Sequence, residues 1–188
     1  MFSIFKIFKK KKIVPHIRLS GVIGSVGKFK QGLDFTGQQE IIKKAFSVKK
    51  AKAIAISINS PGGSPVQSHL IYSYIRRQAK KNKKQVLVFA EDVAASGGYL
   101  IACAGDQIFA NSSSIIGSIG VIYSSFGLQE LIKKAGIERR IYTAGKNKST
   151  LDPFVEEKKE DIERLKKIQL SLHSDFIKVV EESRSTKL

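Results

Sequence analysis

The sequence predicts an α/β domain built of layered strands and helices. Short apolar runs alternate with amphipathic stretches of helical period along most of the 188 residues, the pattern of strand–helix repeats. Two of the runs, AKAIAISINS and QVLVFAED, are nearly continuous in apolar residues, as strands covered on both faces of a parallel sheet must be. Each is followed by a glycine-containing break that opens a helix, the place where α/β domains build sites.

The elements follow in order. KKIVPHIRLSGVIG supplies a first strand, Ile13 to Leu19, with Pro15 near its start and a glycine turn after it. DFTGQQEIIKKAFS reads as a helix capped by Thr36, with Ile41, Ile42, Ala45 and Phe46 on one face. AKAIAISINS is the second strand, and PGGS breaks it. SPVQSHLIYSYIRRQAKK is a helix with Pro65 in its tolerant first turn and Val66, Leu70, Ile71, Tyr74 and Ile75 inward. QVLVFAED is the third strand. ASGGYLIACAG opens a helix, and DQIFANS is a short strand after it. GSIGVIYSSF and IERRIYTAG read as further strands on either side of a helix, GLQELIKKAG. A long amphipathic helix closes the chain from Pro153, with Ile162, Leu165, Ile168, Leu172, Phe176 and Val179 on its apolar stripe. The domain is thus expected to occupy residues 13–188, behind a basic, apolar tail of residues 1–12.

Composition narrows the function classes. Apolar residues make up 42% and charged residues 26% of the chain, ordinary for a globular domain. A single cysteine, Cys103, in an apolar run excludes an internal disulfide framework and reads as a small core residue. The net charge of +17 favours anionic partners. Part of it lies in KIFKKKK and part in RRQAKKNKK, which reads as solvated charge at a helix C-terminus. No zinc or RNA-binding pattern accompanies it, so specific nucleic-acid binding is not expected. The segment Met1 to Lys12 is too short to span a bilayer, and its charges follow its apolar residues, the reverse of a secretory signal. It reads equally as an interfacial anchor, with Phe2, Ile4, Phe5 and Phe8 dipping into a membrane, or as a solubilising tail. The expected location is the cytoplasm or the periphery of the inner membrane.

The two glycine breaks, INSPGGS and AASGGY, carry the chemistry. PGGS lacks the lysine and spacing of a phosphate-binding P-loop, and no dinucleotide fingerprint is present. Paired glycines can instead aim backbone N–H groups at a developing oxyanion. Ser96, between two alanines and two glycines, is then either a small packing residue or a nucleophile. A serine needs a base. His16, His69 and His173 lie in a strand and two helices, away from an orienting carboxylate, and read as structural or exposed. A lysine serves when burial and nearby positive charge lower its pKa from ~10.4 toward neutrality. With 33 basic residues, composition alone does not choose one.

Three blocks decide the reading: NSPGGS, EDVAASGGYLIACAGDQIFANSSSIIGSIGV and IYTAGKNKSTLDPF. In order and spacing they resemble the blocks of the signal peptide peptidase A family, serine peptidases of the S49 type, from about Ile13 to Phe154. The resemblance implies a crotonase/Clp-like layered fold and peptide hydrolysis by a Ser/Lys dyad. It makes Ser96 the nucleophile, Lys148 the general base and Ser118 the serine that bonds the base. Gly63 and Gly97 become the oxyanion donors. Lys146 is the competing lysine, and Asn147 stands where the family commonly has an aromatic residue. The resemblance implies no cofactor or metal, and substrates that are signal peptides or other hydrophobic polypeptides. It also implies a homo-oligomer in which serine and lysine meet across neighbouring subunits. Against the family's usual pattern, this sequence shows no spanning anchor and no elements beyond the long helix, so either a short form or a truncated chain is expected. Two rivals are an inactive scaffold of the same fold and a crotonase-type acyl-CoA enzyme, which would use Glu91 or Asp92 as its carboxylate.

Overall fold

The computed structural model describes residues 12–24, 32–145 and 148–185. The expected membrane contact at Met1 to Lys12 lies, but for Lys12, outside them. The chain divides into two compact units, one of residues 1–119 and 177–188 and the other of residues 120–176.

The first unit is the layered domain. Its strands are β1 (His16–Ser20), β2 (Ala53–Ser60), β3 (Gln85–Ala95), β4 (Gln107–Ala110) and β5 (Ile115–Gly117). All pair in parallel, in the order β1-β2-β3-β4, and β5 pairs with β3 beyond the end of β4. Parallel neighbours need long crossovers. Helix α1 (Phe35–Ser47) links β1 to β2, α2 (Pro65–Asn82) links β2 to β3, and the short α3 (Gly97–Ala102) leads toward β4. The core joins Ile17 and Leu19 of β1, Ile54, Ile56 and Ile58 of β2, and Val86 and Val88 of β3 to the inner faces of the three helices.

The helix predictions hold in outline and fail at particular residues. Helix α1 is capped by Asp34, not Thr36: the Asp34 carboxylate accepts from the Gly37 N–H at 2.7 Å. A carboxylate caps as well as a hydroxyl and also complements the helix dipole. Ile42 and Phe46 are buried, while Ile41 is 49% exposed. In α2, Pro65 takes the first turn as expected and Ile71, Tyr74 and Ile75 are buried, but Val66 and Leu70 face outward. Ser68 is fully buried in that first turn.

The C-terminal end of α2 is not wholly solvated charge. The Lys84 ammonium donates to the carbonyls of Phe46 and Val48 at 2.7 and 2.6 Å, closing the end of α1. Arg76 donates to Asp106 and to the Ala104 carbonyl. Strand β3 is buried on one face only: Phe89 is 40% exposed and stacks on Phe109 of β4, with ring centroids 5.0 Å apart.

Arg18 of β1 reaches over β2 to Glu91 of β3 with two bonds, Nε to Oε1 at 3.0 Å and NH2 to Oε2 at 2.7 Å. Bonding from Arg18 holds the Glu91 carboxyl below the usual carboxylate range. A depressed carboxyl adds stability above its unfolded pKa of about 4.3 and loses it as pH falls through the lower folded value. Glu91→Gln is therefore expected to lower the urea midpoint slightly near pH 7, an exposed pair contributing little. The difference from wild type should close below about pH 4, and a difference constant with pH would refute this account of the pair.

The second unit contains α4 (Gln129–Lys134) and most of α5 (Lys159–Arg184), whose last residues from Ile177 belong to the first unit. Helix α5 starts at Lys159, six residues later than the expected start at Pro153, and Ile168 of its stripe is 54% exposed. GSIGVIYSSF and IERRIYTAG are not strands: β5 ends at Gly117, and residues 137–143 have no regular structure. A strand needs an edge to pair with, which β-propensity alone does not supply. Ile122, Phe126 and Tyr142 are accordingly 88%, 79% and 91% exposed.

Candidate active site

The site begins where β3 ends. Ala95 is the last strand residue, Gly97 the first of α3, and Ser96 makes the whole turn between them with φ 51° and ψ −123°. A non-glycine residue at positive φ is strained by roughly 1–3 kcal/mol and survives only where its surroundings over-determine it. Two backbone bonds hold Ser96. Its N–H donates to the Gly117 carbonyl at 2.7 Å, and its carbonyl accepts from Leu100 at 3.0 Å. Its hydroxyl makes no capping bond to α3. The residue is partly exposed, whereas Ala94, Ala95, Gly97 and Gly98 around it are buried.

The small residues beside Ser96 have steric causes. A Cβ on Gly97 would lie 2.2 Å from the Ser68 Oγ, and one on Gly98 would lie 2.7 Å from the Ser60 carbonyl oxygen. The turn after β2 packs on the same point: a Cβ on Gly62, at φ 99°, would meet the Ser96 Cβ at 2.7 Å and the Gly97 nitrogen at 2.8 Å. Both glycine breaks therefore converge on Ser96.

Gly63 is exposed, at φ 144°, and bridges to Ile23. The bridge uses its neighbours, Ile23 N–H to the Gly62 carbonyl and Ser64 N–H to the Ile23 carbonyl, each at 2.8 Å. In a parallel bridge this turns the Gly63 N–H to the side opposite Ile23. The N–H of Gly97, first in its helix, likewise has no intrahelical partner. Ser118 follows Gly117, whose carbonyl binds Ser96, and has φ 54°.

Ser96, Gly63, Gly97 and Ser118 thus share the first unit. Lys148 lies in the second, where it is exposed. Its segment is organised by Asp152, which accepts from Arg139 at 2.9 Å, from the Ser149 hydroxyl at 3.3 Å and from the Phe154 N–H at 3.1 Å. The Arg139 guanidinium also covers the Phe154 ring. Lys146 and Asn147 lie outside the described residues. His16 bonds Ser57, and His69 and His173 sit on helices. Cys103 is core, its thiol pushed up by burial.

Three positioning residues were missed in the sequence. Ser60 receives the Gly62 N–H at 3.2 Å, and Ser68 anchors to the Ser64 carbonyl at 2.8 Å. Asn59 ties Asp92 and the Val93 N–H to the end of β2. The only sequence signal for Ser68 is a small polar residue inside a helical stripe.

With this geometry in place, comparison with known proteins identifies the chain's relatives. The model of peptidase family S49 matches residues 78–188. The chain belongs to peptidase family S49. The chloroplastic serine protease SPPA of Arabidopsis thaliana is 38% identical over 130 residues, 65% of this chain and 19% of that one. A Brucella melitensis protein named Na(+)/H(+) antiporter NhaA is 58% identical over 176 residues, 93% of this chain but 24% of that longer one. No described helix of the present chain is long and apolar enough to cross a membrane. This S49 chain thus spans about a quarter or less of those two relatives. A mutant ClpP1 from Listeria monocytogenes superposes with a TM-score of 0.50 at 16% identity, covering 90% of this chain and 72% of that chain. That likeness bears out the Clp-like layered fold.

Proposed function

We propose that this S49 chain is a serine endopeptidase in which Ser96 attacks a peptide carbonyl and Lys148 is the general base. The carrying observation is the strained turn at Ser96, held where two glycine breaks meet. Such a turn between a strand and a helix lifts a hydroxyl into reach of substrate. Proton-free Lys148 takes the Ser96 proton as Oγ bonds to the carbonyl carbon, and the N–H groups of Gly63 and Gly97 receive the oxyanion. As the C–N bond breaks, the Lys148 ammonium returns the proton to the leaving amine. Water then attacks the acyl-enzyme with Lys148 again as base, releasing the acid and free Ser96. Ser118 would hold the lysine amine in line.

The substrates are hydrophobic polypeptides such as signal peptides, laid along the site in extended form. The working particle is a homo-oligomer in which one subunit's Lys148 serves its neighbour's Ser96. The bare apolar side chains of the second unit, Ile122, Phe126 and Tyr142, support burial against another copy. Glu91 and Asp92 are engaged by Arg18 and Asn59, which weighs against a carboxylate-driven acyl-CoA reaction.

A fluorophosphonate probe tests the reading. Wild type should label at Ser96, and Lys148→Ala should label and turn over at least ~10²-fold more slowly. Mixing Ser96→Ala with Lys148→Ala subunits should restore about a quarter of the wild-type sites if serine and lysine come from different subunits. Absence of labelling together with tight coenzyme A binding would overturn the peptidase assignment, and failure of the mixture to recover would overturn the shared site.

A further inference from the structure

Arg184, in the part of α5 that belongs to the first unit, is 6% exposed. It donates through NH2 to the Gly105 carbonyl, while its Nε is enclosed without a hydrogen-bond partner among the described residues. Among the described residues it makes no ion pair with a carboxylate. A buried guanidinium is permanently charged and carries five donors, and burying that charge without a counterion is costly. Arg184 also lines a pocket of about 380 Å³ with Tyr72, Arg76, Cys103, Asp106 and Glu182.

Of the two acids of that pocket, Asp106 is engaged and Glu182 is largely exposed to solvent. Asp106 takes Arg76 at 2.9 Å and the Val86 N–H at 2.7 Å, and Glu182 lies 3.9 Å from Lys178. Next to the pocket, and sharing Arg76 and Asp106 with it, is a groove of about 530 Å³ bordered by Arg77, Lys80, Lys83 and Lys84. Cations on one rim raise the local concentration of anions.

We propose that the Arg184 pocket binds a small oxyanion, a carboxylate or a phosphate, that neutralises the buried guanidinium. A guanidinium presents parallel N–H groups that match either group two bonds at a time. The pocket borders Cys103 and Gly105, just past the C-terminal end of α3, whose first residue follows Ser96. An occupant there steadies the helix that carries the nucleophile turn from the end opposite Ser96.

Calorimetric titration and thermal melting of the intact chain test this, with inorganic phosphate and succinate at constant ionic strength against sodium chloride. At least one anion should bind saturably and, at about a hundred times its Kd, raise Tm by about 5–10 °C. The stronger of the two distinguishes a phosphate from a carboxylate ligand. Arg184→Lys keeps the charge but loses the fork, and should bind at least about tenfold more weakly. Wild type that neither binds nor is stabilised by either anion beyond the chloride control overturns the proposal, as does undiminished binding by folded Arg184→Lys. The readout is independent of peptidase activity.

Discussion

Ser96→Ala is expected to lower peptide hydrolysis by about 10⁴-fold or more, because loss of a nucleophile that acts in concert with its base removes the covalent route altogether. The fold should survive, since the turn is held by the Gly117 carbonyl, the Leu100 amide and the close approach of Gly62, all backbone features. Ser96→Gly sharpens the test. Glycine adopts φ 51° without penalty, so this variant should be equally inactive and more stable than wild type by about 1 kcal/mol. Activity by peptide hydrolysis and stability by urea midpoint check the pair. A serine retained only for packing would show the stability change without the loss of hydrolysis, and that result would remove the nucleophile from the mechanism.

The largest stability loss is expected at Gly63→Ala. The added methyl would sit 2.1 Å from the Ile23 carbonyl oxygen and 2.9 Å from its carbon and nitrogen, in a backbone already at φ 144°. The obstacle is main chain, which cannot swing aside as a side-chain tip can. Strain and overpacking together come to about 3–5 kcal/mol, a large share of what a single domain has to lose. The urea midpoint should fall accordingly, and any folded fraction should lose hydrolysis because the Gly63 N–H can no longer hold its direction. Gly97→Ala is expected to cost less, because its obstacle is the Ser68 hydroxyl at 2.2 Å, a side chain that can rotate. Equal, small losses at both positions would show that neither turn constrains the chain.

Much of the first unit was legible along the chain because its signals are local. Apolar runs bounded by glycine announced β2 and β3, Pro65 announced the start of α2, and the spacing of Ile71, Tyr74 and Ile75 announced its buried face. Wherever two local candidates competed, the chain alone did not choose. Asp34 rather than Thr36 caps α1, and Val66 faces outward although it falls on the helical stripe. From the end of β5 onward, alternating apolar residues read as strands at 117–126 and 137–145. No neighbouring edge receives them, so the described chain leaves Ile122 and Tyr142 bare.

By itself, then, the sequence determined the α/β class, the parallel sheet, the membership in an S49 family and the candidate residues Ser96, Lys148, Ser118, Gly63 and Gly97. The class and the sheet rest on residue types and on spacings of a few positions, which propensity expresses directly; the family and the candidate residues rest on the resemblance of three sequence blocks to those of that family. Only the tertiary structure decided that Ser96 bears a positive φ, that Gly62 abuts it from 34 positions away, and that Ser60 and Ser68 shape the space around Gly97 and Gly98. It alone showed that Arg184 is buried at the Gly105 carbonyl. Those facts depend on which distant surfaces meet when the core closes, and close packing makes such meetings a property of the whole fold rather than of any segment.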